Sequence, residues 1–508
     1  MTTPDDGPTT NAAALTPQTP HGRNAKRAGR GVGLLSIALL SVPMMTTHHS
    51  SPKVSALVRA SSTRAAANAV RSHGGTVVNE LDVIGGVVAK VDGDRLADLT
   101  ADPAVSGIDL DTAGDLQAVL PGTSYDTETD VGSMYDTARL VGADKLWARG
   151  ATGAGVAVAL LDSGVQPSAF FGTRLVAGAD FTGANNSLAD GYGHGTHMAG
   201  IIGGSSGTVG STTGFTGIAP RATVVSVRVA DNTGATSLMR ILQGLDWVYK
   251  NHDDLNIKVV NMSVGVPAYS DYTRDPIVAA AQRLWYDEVT VVASAGNIGA
   301  GLNLTSPAID PTIIAVGAVD TKGTLATTDD VPASFSAGAA TASDRSPTVV
   351  VPARSIQSIK ATGSTMAAGA PATALVGTTF VKGTGTSQAA AIVSGEAALM
   401  YSAKAGLGPT DIKMNLCNFA SNRGWDRKRQ GCGVATVAAM TSANLDTSYS
   451  WEGYPEASVS ATTANATTDQ QTRSASWQGS SWQGSSWQGA SWQGSSWQGS
   501  SSWQGQAG

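Results

Sequence analysis

Three short motifs flanked by glycine contain the residue types of an activated nucleophile. In chain order they hold Asp162, His194 and Ser387. A serine hydroxyl becomes a strong nucleophile when a neighbouring imidazole removes its proton, and a carboxylate bound to that imidazole fixes its tautomer and stabilises its cation. We therefore predict acyl-transfer chemistry, with Ser387 as nucleophile, His194 as general base and Asp162 as the group that orients the base.

Each motif also has a simpler interpretation. Asp162 could cap a turn, and Ser387 could cap the alanine-rich helix that follows it. An aspartic protease needs two carboxylates that share a proton, and no second Asp-Ser-Gly or Asp-Thr-Gly occurs. His194 and His197 are three residues apart with no Glu beside the first, which does not fit the zinc protease pattern. We expect His197 to be a packed, hydrogen-bonded neighbour.

A developing oxyanion would need hydrogen-bond donors near Ser387. The predicted helix start offers the backbone N–H of Ser387, and Asn297 follows a buried strand with suitable placement for a second donor.

The elements that must position these residues alternate between strands and helices from residue 131 to 445. Nearly continuous apolar runs, such as Val156–Leu161, Val259–Met262 and Thr290–Ser294, are typical of parallel strands buried on both faces. Helical patterns lie between them. We predict an α/β fold with a doubly wound, mostly parallel sheet.

A smaller unit precedes this sheet. Residues 53–111 read as β-α-β-β-α-β, which predicts a small ferredoxin-like α+β domain. Residues 112–130 read as a linker that contains a processing site, because Thr123–Asp130 is a polar, acidic stretch that looks exposed and cleavable.

The two ends of the chain differ from the middle. Within residues 1–50, basic residues precede the apolar run Val32–Met45, which indicates a polar leader followed by a secretory signal. Export would allow Cys417 and Cys432, the two cysteines, to form a disulfide; two free buried thiols are the alternative. Residues 446–508 contain Ser-Ser-Trp-Gln-Gly repeats, whose period of five fits neither helix nor strand, so we predict a disordered tail. The net charge of -6 gives no reason to expect a nucleic-acid partner.

Seven segments between residues 131 and 443 resemble the subtilisin-like serine proteases (subtilases), in the order the family has them. They are Val156–Val165, Gly191–Gly200, Gly217–Val229, Val260–Gly265, Val292–Asn297, Ile314–Asp320 and Gly385–Gly395. The order Asp, His, Ser is also that of subtilisin.

The resemblance implies a subtilisin-like fold, the triad Asp162, His194 and Ser387, and Asn297 as the oxyanion-binding amide. It implies that Ser263, Val264 and Gly265 form an edge strand that pairs with an extended substrate. It also implies that residues 53–111 are an inhibitory propeptide. The family does not use a cofactor for catalysis. Some members hold structural calcium, but Ser211 and Ala169–Phe171 lack common ligands, so the sequence argues against a calcium requirement.

The sequence therefore predicts a secreted serine endopeptidase that cuts polypeptides and processes itself from a proenzyme. The segment Ala361–Thr379 reads as a surface insertion. The alternative hypothesis is a catalytically silent protein that binds cell walls or polysaccharide through the tryptophan repeat, since indoles can stack on sugar rings.

Overall fold

A computed structural model of the chain describes residues 51–116, 132–212, 214–268, 271–341 and 343–449. The predicted leader, most of the predicted linker and the tryptophan-repeat tail lie outside the described residues.

Strands and helices are numbered separately along the chain. The strands are β1 (Lys53–Ala60), β2 (Thr76–Leu81), β3 (Gly86–Asp92), β4 (Val105–Leu110), β5 (Ala113–Leu116), β6 (Ala157–Asp162), β7 (Leu175–Asp180), β8 (Thr223–Arg228), β9 (Ala235–Ser237), β10 (Ile257–Met262), β11 (Val264–Gly265), β12 (Thr290–Ser294), β13 (Ile314–Asp320), β14 (Val331–Pro332), β15 (Val349–Pro352), β16 (Ile356–Ile359), β17 (Leu375–Val376) and β18 (Phe380–Gly383). The helices are α1 (Thr63–Ser72), α2 (Leu96–Thr100), α3 (Met134–Leu140), α4 (Ala143–Ala148), α5 (His194–Gly203), α6 (Leu238–Asn251), α7 (Pro276–Tyr286), α8 (Thr365–Gly369), α9 (Thr386–Ala403), α10 (Pro409–Phe419) and α11 (Arg427–Gln430).

Residues 53–110 form an N-terminal unit with its own core. Its antiparallel sheet has the order β2-β3-β1-β4, and the elements follow one another as the sequence predicts. Helix α1 begins where the Ser62 side chain accepts the Ala65 N–H (3.2 Å), and it buries one alanine-rich face against the sheet. Val58, Val70 and Leu99 are at the centre of this core.

The large sheet confirms the predicted α/β class. Its strand order is β14-β13-β12-β10-β6-β8-β7, with β15 also paired to β13. Every pair is parallel except that of β13 with the two-residue strand β14. Strands β6, β12 and β13 are buried at every residue, as their continuous apolar sequences predict.

Helix α9 passes through the middle of the protein. Its residues 386–400 are all buried, and it packs against α5, β10, β12 and β13. A helix surrounded on all sides is expected to be mostly apolar on every face, which explains its run of alanines. This burial holds the first turn of α9 firmly against the carboxyl ends of the sheet strands.

The predicted disulfide is present. Cys417 on α10 is bonded to Cys432, with 5.2 Å between their Cα atoms. Across the described residues, no helix combines the length and apolar character needed to cross a membrane.

Candidate active site

Asp162 and His194 meet at the carboxyl edge of the sheet. Asp162 is the last residue of β6, His194 is the first residue of α5, and both side chains are fully buried. His194 Nδ1 lies 2.8 Å and 2.9 Å from the two carboxylate oxygens of Asp162. Because an ionised carboxylate only accepts hydrogen bonds, Nδ1 carries the proton and Nε2 is left as the basic atom.

A second buried carboxylate, Asp190, fixes the start of α5. It accepts the backbone N–H groups of Gly193 (2.6 Å) and Thr196 (2.8 Å), and the hydroxyl of Ser163 (2.8 Å). Burial raises the pKa of the Asp190 carboxyl, against the opposite effect of these bonds. Ser163 Oγ in turn accepts the N–H of Gly195 (3.0 Å). Ser163, which follows Asp162, is thus joined through Asp190 to the backbone around His194 in one hydrogen-bond network.

Ser387 is held at the end of the neighbouring strand β10. Leu161 and Met262 are partners across β6 and β10, so the next residues, Asp162 and Ser263, reach the same edge of the sheet. Ser387 Oγ donates to the carbonyl of Ser263 (3.1 Å), and Ser263 Oγ donates to the carbonyl of Ser387 (3.1 Å). These reciprocal bonds fix the start of α9 on this edge.

The hydrogen bond between Ser387 and His194 is not formed in this structure. Within the described residues His194 Nε2 has no hydrogen-bond partner. Bonds of this kind are often long or misaligned before substrate binds and become short only in the complex.

Asn297 is bonded through its amide oxygen to the residue that precedes Ser387. Its Oδ1 accepts both the N–H (2.8 Å) and the hydroxyl (2.9 Å) of Thr386, the residue before Ser387. Since the amide oxygen is occupied, the Nδ2 donors are directed elsewhere. The Ser387 N–H lies in the first turn of α9, where helix N–H groups have no intrahelical acceptor.

The expectation of a hydrogen-bonded His197 is wrong in one respect. His197 is fully buried, but neither ring nitrogen has a hydrogen-bond partner in the part of the chain that the structure describes. Burial, with a smaller effect from the charge of His194, lowers the pKa of His197 to about 3. The ring is therefore a neutral packing group rather than a second base.

The predicted substrate-binding edge is already paired. Strand β5 lies between β11 and β9, antiparallel to both. Leu116 is opposite Val264. The residue before Val264 is Ser263, whose carbonyl accepts the Ser387 hydroxyl. A segment of the predicted linker therefore occupies the position expected for an extended substrate.

The predicted surface insertion, residues 361–379, has many exposed residues, and part of it also packs against the loop before His194. Ser364 and Met366 are buried, and the N–H groups of Thr365 and Met366 donate to the carbonyls of Gly191 (2.8 Å) and Tyr192 (2.9 Å). The Ala/Gly/Thr composition of this segment gave no indication of that contact.

A half-buried cation lies beside Ala169–Phe171, one of the two places that the calcium prediction concerns. The Arg174 guanidinium donates to the carbonyls of Phe170 (2.8 Å), Gly203 (2.5 Å) and Ala222 (3.1 Å). No group of three or more His, Cys, Asp or Glu side chains that could hold a metal ion occurs among the residues described.

Comparison with known proteins identifies the family. The sequence model of the subtilase family matches residues 153–434, more than half of the chain. The chain belongs to the subtilase family of serine endopeptidases. Serine protease AprX of Bacillus subtilis is 32% identical over 274 residues, which are 53% of this subtilase and 61% of AprX. Subtilisin DY of Bacillus licheniformis is 30% identical over 303 residues, 59% of this chain and 96% of that protein.

A solved structure supports the fold independently. The crystal structure of fervidolysin from Fervidobacterium pennivorans, a keratinolytic enzyme related to subtilisin, superposes with a TM-score of 0.61 and 23% sequence identity. The match covers 79% of this subtilase and 62% of the fervidolysin chain.

Proposed function

We propose that this subtilase is an exported endopeptidase that hydrolyses polypeptides through an acyl-enzyme. The observation that carries the proposal is the buried hydrogen bond from His194 Nδ1 to Asp162, which makes Nε2 the basic atom at the strand edge that also holds Ser387. In the reaction, His194 takes the Ser387 proton as the hydroxyl oxygen attacks the substrate carbonyl. The imidazolium then protonates the leaving amine, and water hydrolyses the ester.

Asn297 and the backbone of Ser387 are the proposed oxyanion donors. Thr386 holds the Asn297 amide oxygen, so the amide nitrogen can donate to the charge that develops in the transition state. Removal of one such donor costs about 2.7–4 kcal/mol of transition-state stabilisation in subtilisin.

Residues 53–116 are the proposed inhibitory propeptide. In addition to strand β5, the unit docks through the turn after β2: the Val83 N–H donates to Asp246 on α6 (3.0 Å), and Val83 and Ile84 are buried in the main core. Lys250 on α6 binds both Asp246 (2.8 Å) and Asp82 (2.9 Å). Together with the pairing of β5, these contacts hold the blocking strand in the cleft.

Export is supported by two independent features. The basic and apolar leader in residues 23–45 has the pattern of a secretory signal. The disulfide between Cys417 and Cys432 is of a kind that forms and persists in oxidising compartments.

Labelling with a serine-directed fluorophosphonate tests the catalytic proposal. We expect the mature protein to carry one label on Ser387, located by peptide mass spectrometry, and Ser387→Ala to be unlabelled and inactive on casein. Ser394→Ala is a matched control on the same helix, since that hydroxyl binds Asn261 instead (2.9 Å). A label on any residue other than Ser387, or casein hydrolysis by the Ser387→Ala protein, would contradict the assignment.

A further inference from the structure

Two backbone segments, 263–266 and 295–297, flank the place where a substrate would react. The first begins at Ser263, whose carbonyl accepts the Ser387 hydroxyl (3.1 Å). The second ends at Asn297, the proposed oxyanion donor. The attacked carbonyl carbon must come within bonding reach of Ser387, and its oxygen must lie near Asn297. The substrate residue that is attacked therefore has to lie between the two segments.

The side chain of Thr305 fills much of the space between these segments. Each segment has a glycine there. A Cβ atom on Gly265 would lie 2.8 Å from Thr305 Oγ1 and 3.2 Å from Thr305 Cβ. A Cβ atom on Gly296 would lie 2.9 Å from Thr305 Cγ2 and 3.3 Å from Thr305 Oγ1. The threonine side chain thus packs directly against both glycines.

Thr305 is held in this position by hydrogen bonds to both segments. Its N–H (3.1 Å) and its hydroxyl (3.4 Å) donate to the Ala295 carbonyl. The next residue, Ser306, exchanges two backbone hydrogen bonds with Val266, at 3.0 Å and 3.3 Å. A movement of Thr305 away from the glycines would break these bonds. Because Thr305 is only partly buried, its side chain also forms part of the surface that a substrate meets.

A bound substrate would direct one side chain toward Thr305. A substrate strand that replaces β5 in the same register has one residue opposite Gly265, the next opposite Val264 and the next opposite Ser263. Opposite residues of an antiparallel pair share a face, and successive residues alternate between faces. The substrate residue opposite Ser263 therefore shares the face of the one opposite Gly265, on which Thr305 lies. It is also the residue nearest to the nucleophile.

We infer that Thr305 restricts the residue before the cut to one with a small side chain, such as alanine or serine, an inference that rests on the proposed function. The side chain of the attacked residue points into the space between the two segments. A methyl or hydroxymethyl group needs little of that space, whereas a leucine or phenylalanine side chain needs the volume that the threonine occupies. A large side chain would have to displace Thr305 or hold the substrate carbonyl away from Ser387.

Peptides that end in a fluorogenic aminomethylcoumarin test the inference with the mature enzyme, because fluorescence then reports only the cut after the last residue. We expect kcat/KM for a peptide with alanine at that position to exceed kcat/KM for the matching phenylalanine peptide by about tenfold or more. An equal or higher value for the phenylalanine peptide, in an enzyme that the fluorophosphonate labels at Ser387, would overturn this inference alone. Absence of labelling would instead overturn the proposed function.

Two variants of Thr305 separate the volume of the side chain from its hydrogen bond. Thr305→Gly opens the space, so the ratio of kcat/KM for alanine to kcat/KM for phenylalanine should fall by about tenfold or more. Thr305→Val is the matched control, since it keeps the volume and removes the hydroxyl that donates to Ala295; it should keep the wild-type ratio. An unchanged ratio in a labelled Thr305→Gly enzyme, or loss of the preference in Thr305→Val, would contradict the role given to the threonine side chain.

Discussion

Glu396 lies in the middle of helix α9 and is fully buried. Within the described residues its two carboxylate oxygens have no hydrogen-bond partner. Burial raises the pKa of this carboxyl from 4.5 to about 8. Between those two values the folded protein keeps a proton that the unfolded chain has released, so the free energy of unfolding falls as the pH rises through this interval.

Glu396→Gln should therefore remove most of this fall in the free energy of unfolding with rising pH. Each unit of pKa difference corresponds to about 1.4 kcal/mol, so the wild-type carboxyl should cost several kcal/mol of stability between pH 5 and pH 9. Urea unfolding in the Ser387→Ala background, which prevents self-digestion, measures the effect at both pH values.

The comparison between variants removes the contributions of other groups. The pH dependence that comes from Lys413 has the opposite sign. Burial lowers the pKa of Lys413 to about 7, so its contribution to stability grows as the pH rises from there toward 10.5. His197, with a pKa of about 3, affects the pH dependence of stability only below pH 6.5, where stability is lost as the pH falls. If both proteins lost equal stability between pH 5 and pH 9, Glu396 would not titrate in that range.

At this same scale, the motifs pointed to the proposed reacting residues but not to the groups that hold them in place. Each of these residues lies in a short motif whose residue types indicate a chemical role. They are Asp162, His194, Ser387 and Asn297. The role of Asp190 was not predictable from a capping pattern, because the cap position of α5 is Gly193 and Asp190 lies three residues before it. The missing hydrogen bonds of His197 were not predictable either, because they depend on which side chains surround it after folding.

Helix α6 receives part of its N-terminal capping from residues 111 and 112 of the proposed propeptide. The Leu238 and Met239 N–H groups bind the Thr112 carbonyl and the Asp111 carboxylate, while the helix's own cap, Ser237, accepts only from Arg240. The carboxylate also lies at the positive end of the helix dipole.

Asp111→Ala should weaken propeptide binding and shorten the delay between self-cleavage and activity. Loss of a capping carboxylate costs about 0.5–2 kcal/mol, so the dissociation constant of the cleaved propeptide should rise about two- to thirtyfold. The measurement is the lag in peptide hydrolysis after processing, with the exposed Asp94→Ala as control. An unchanged lag would indicate that the Asp111 bond does not contribute to retention.

Long elements were predictable from sequence and short ones were not. The runs in β6, β12 and α9 carry their own burial pattern, and the structure confirms them. Strands β5, β9 and β11 contain two to four residues each and exist only because they pair with one another. Their pairing could be expected only from the family resemblance, and β5 itself lay in the predicted linker.

For the whole molecule, the tryptophan repeat is the part that catalysis does not use. Deletion of residues 474–508 should leave kcat/KM on soluble peptides unchanged, because every proposed catalytic and substrate-binding residue lies between positions 162 and 387. We expect the deletion to reduce retention on cell walls or polysaccharide, since exposed indoles can stack on sugar rings.

A variant with serine in place of the repeat tryptophans is the matched control. It keeps the length and polarity of the tail and removes only its aromatic groups. Equal retention of the full-length, deleted and serine-substituted proteins would leave the tail without a binding role.

The position of β5 between β9 and β11 has a consequence for which proteins can be digested. Once the proposed propeptide has left, β9 and β11 would face each other with unpaired backbone edges across a slot that is one strand wide. A native helix, or a strand already paired inside its own sheet, cannot enter such a slot. The rate at which a folded protein is digested should therefore follow the frequency of its local unfolding over a few residues. Local unfolding of the substrate should then limit turnover as much as the substrate sequence does.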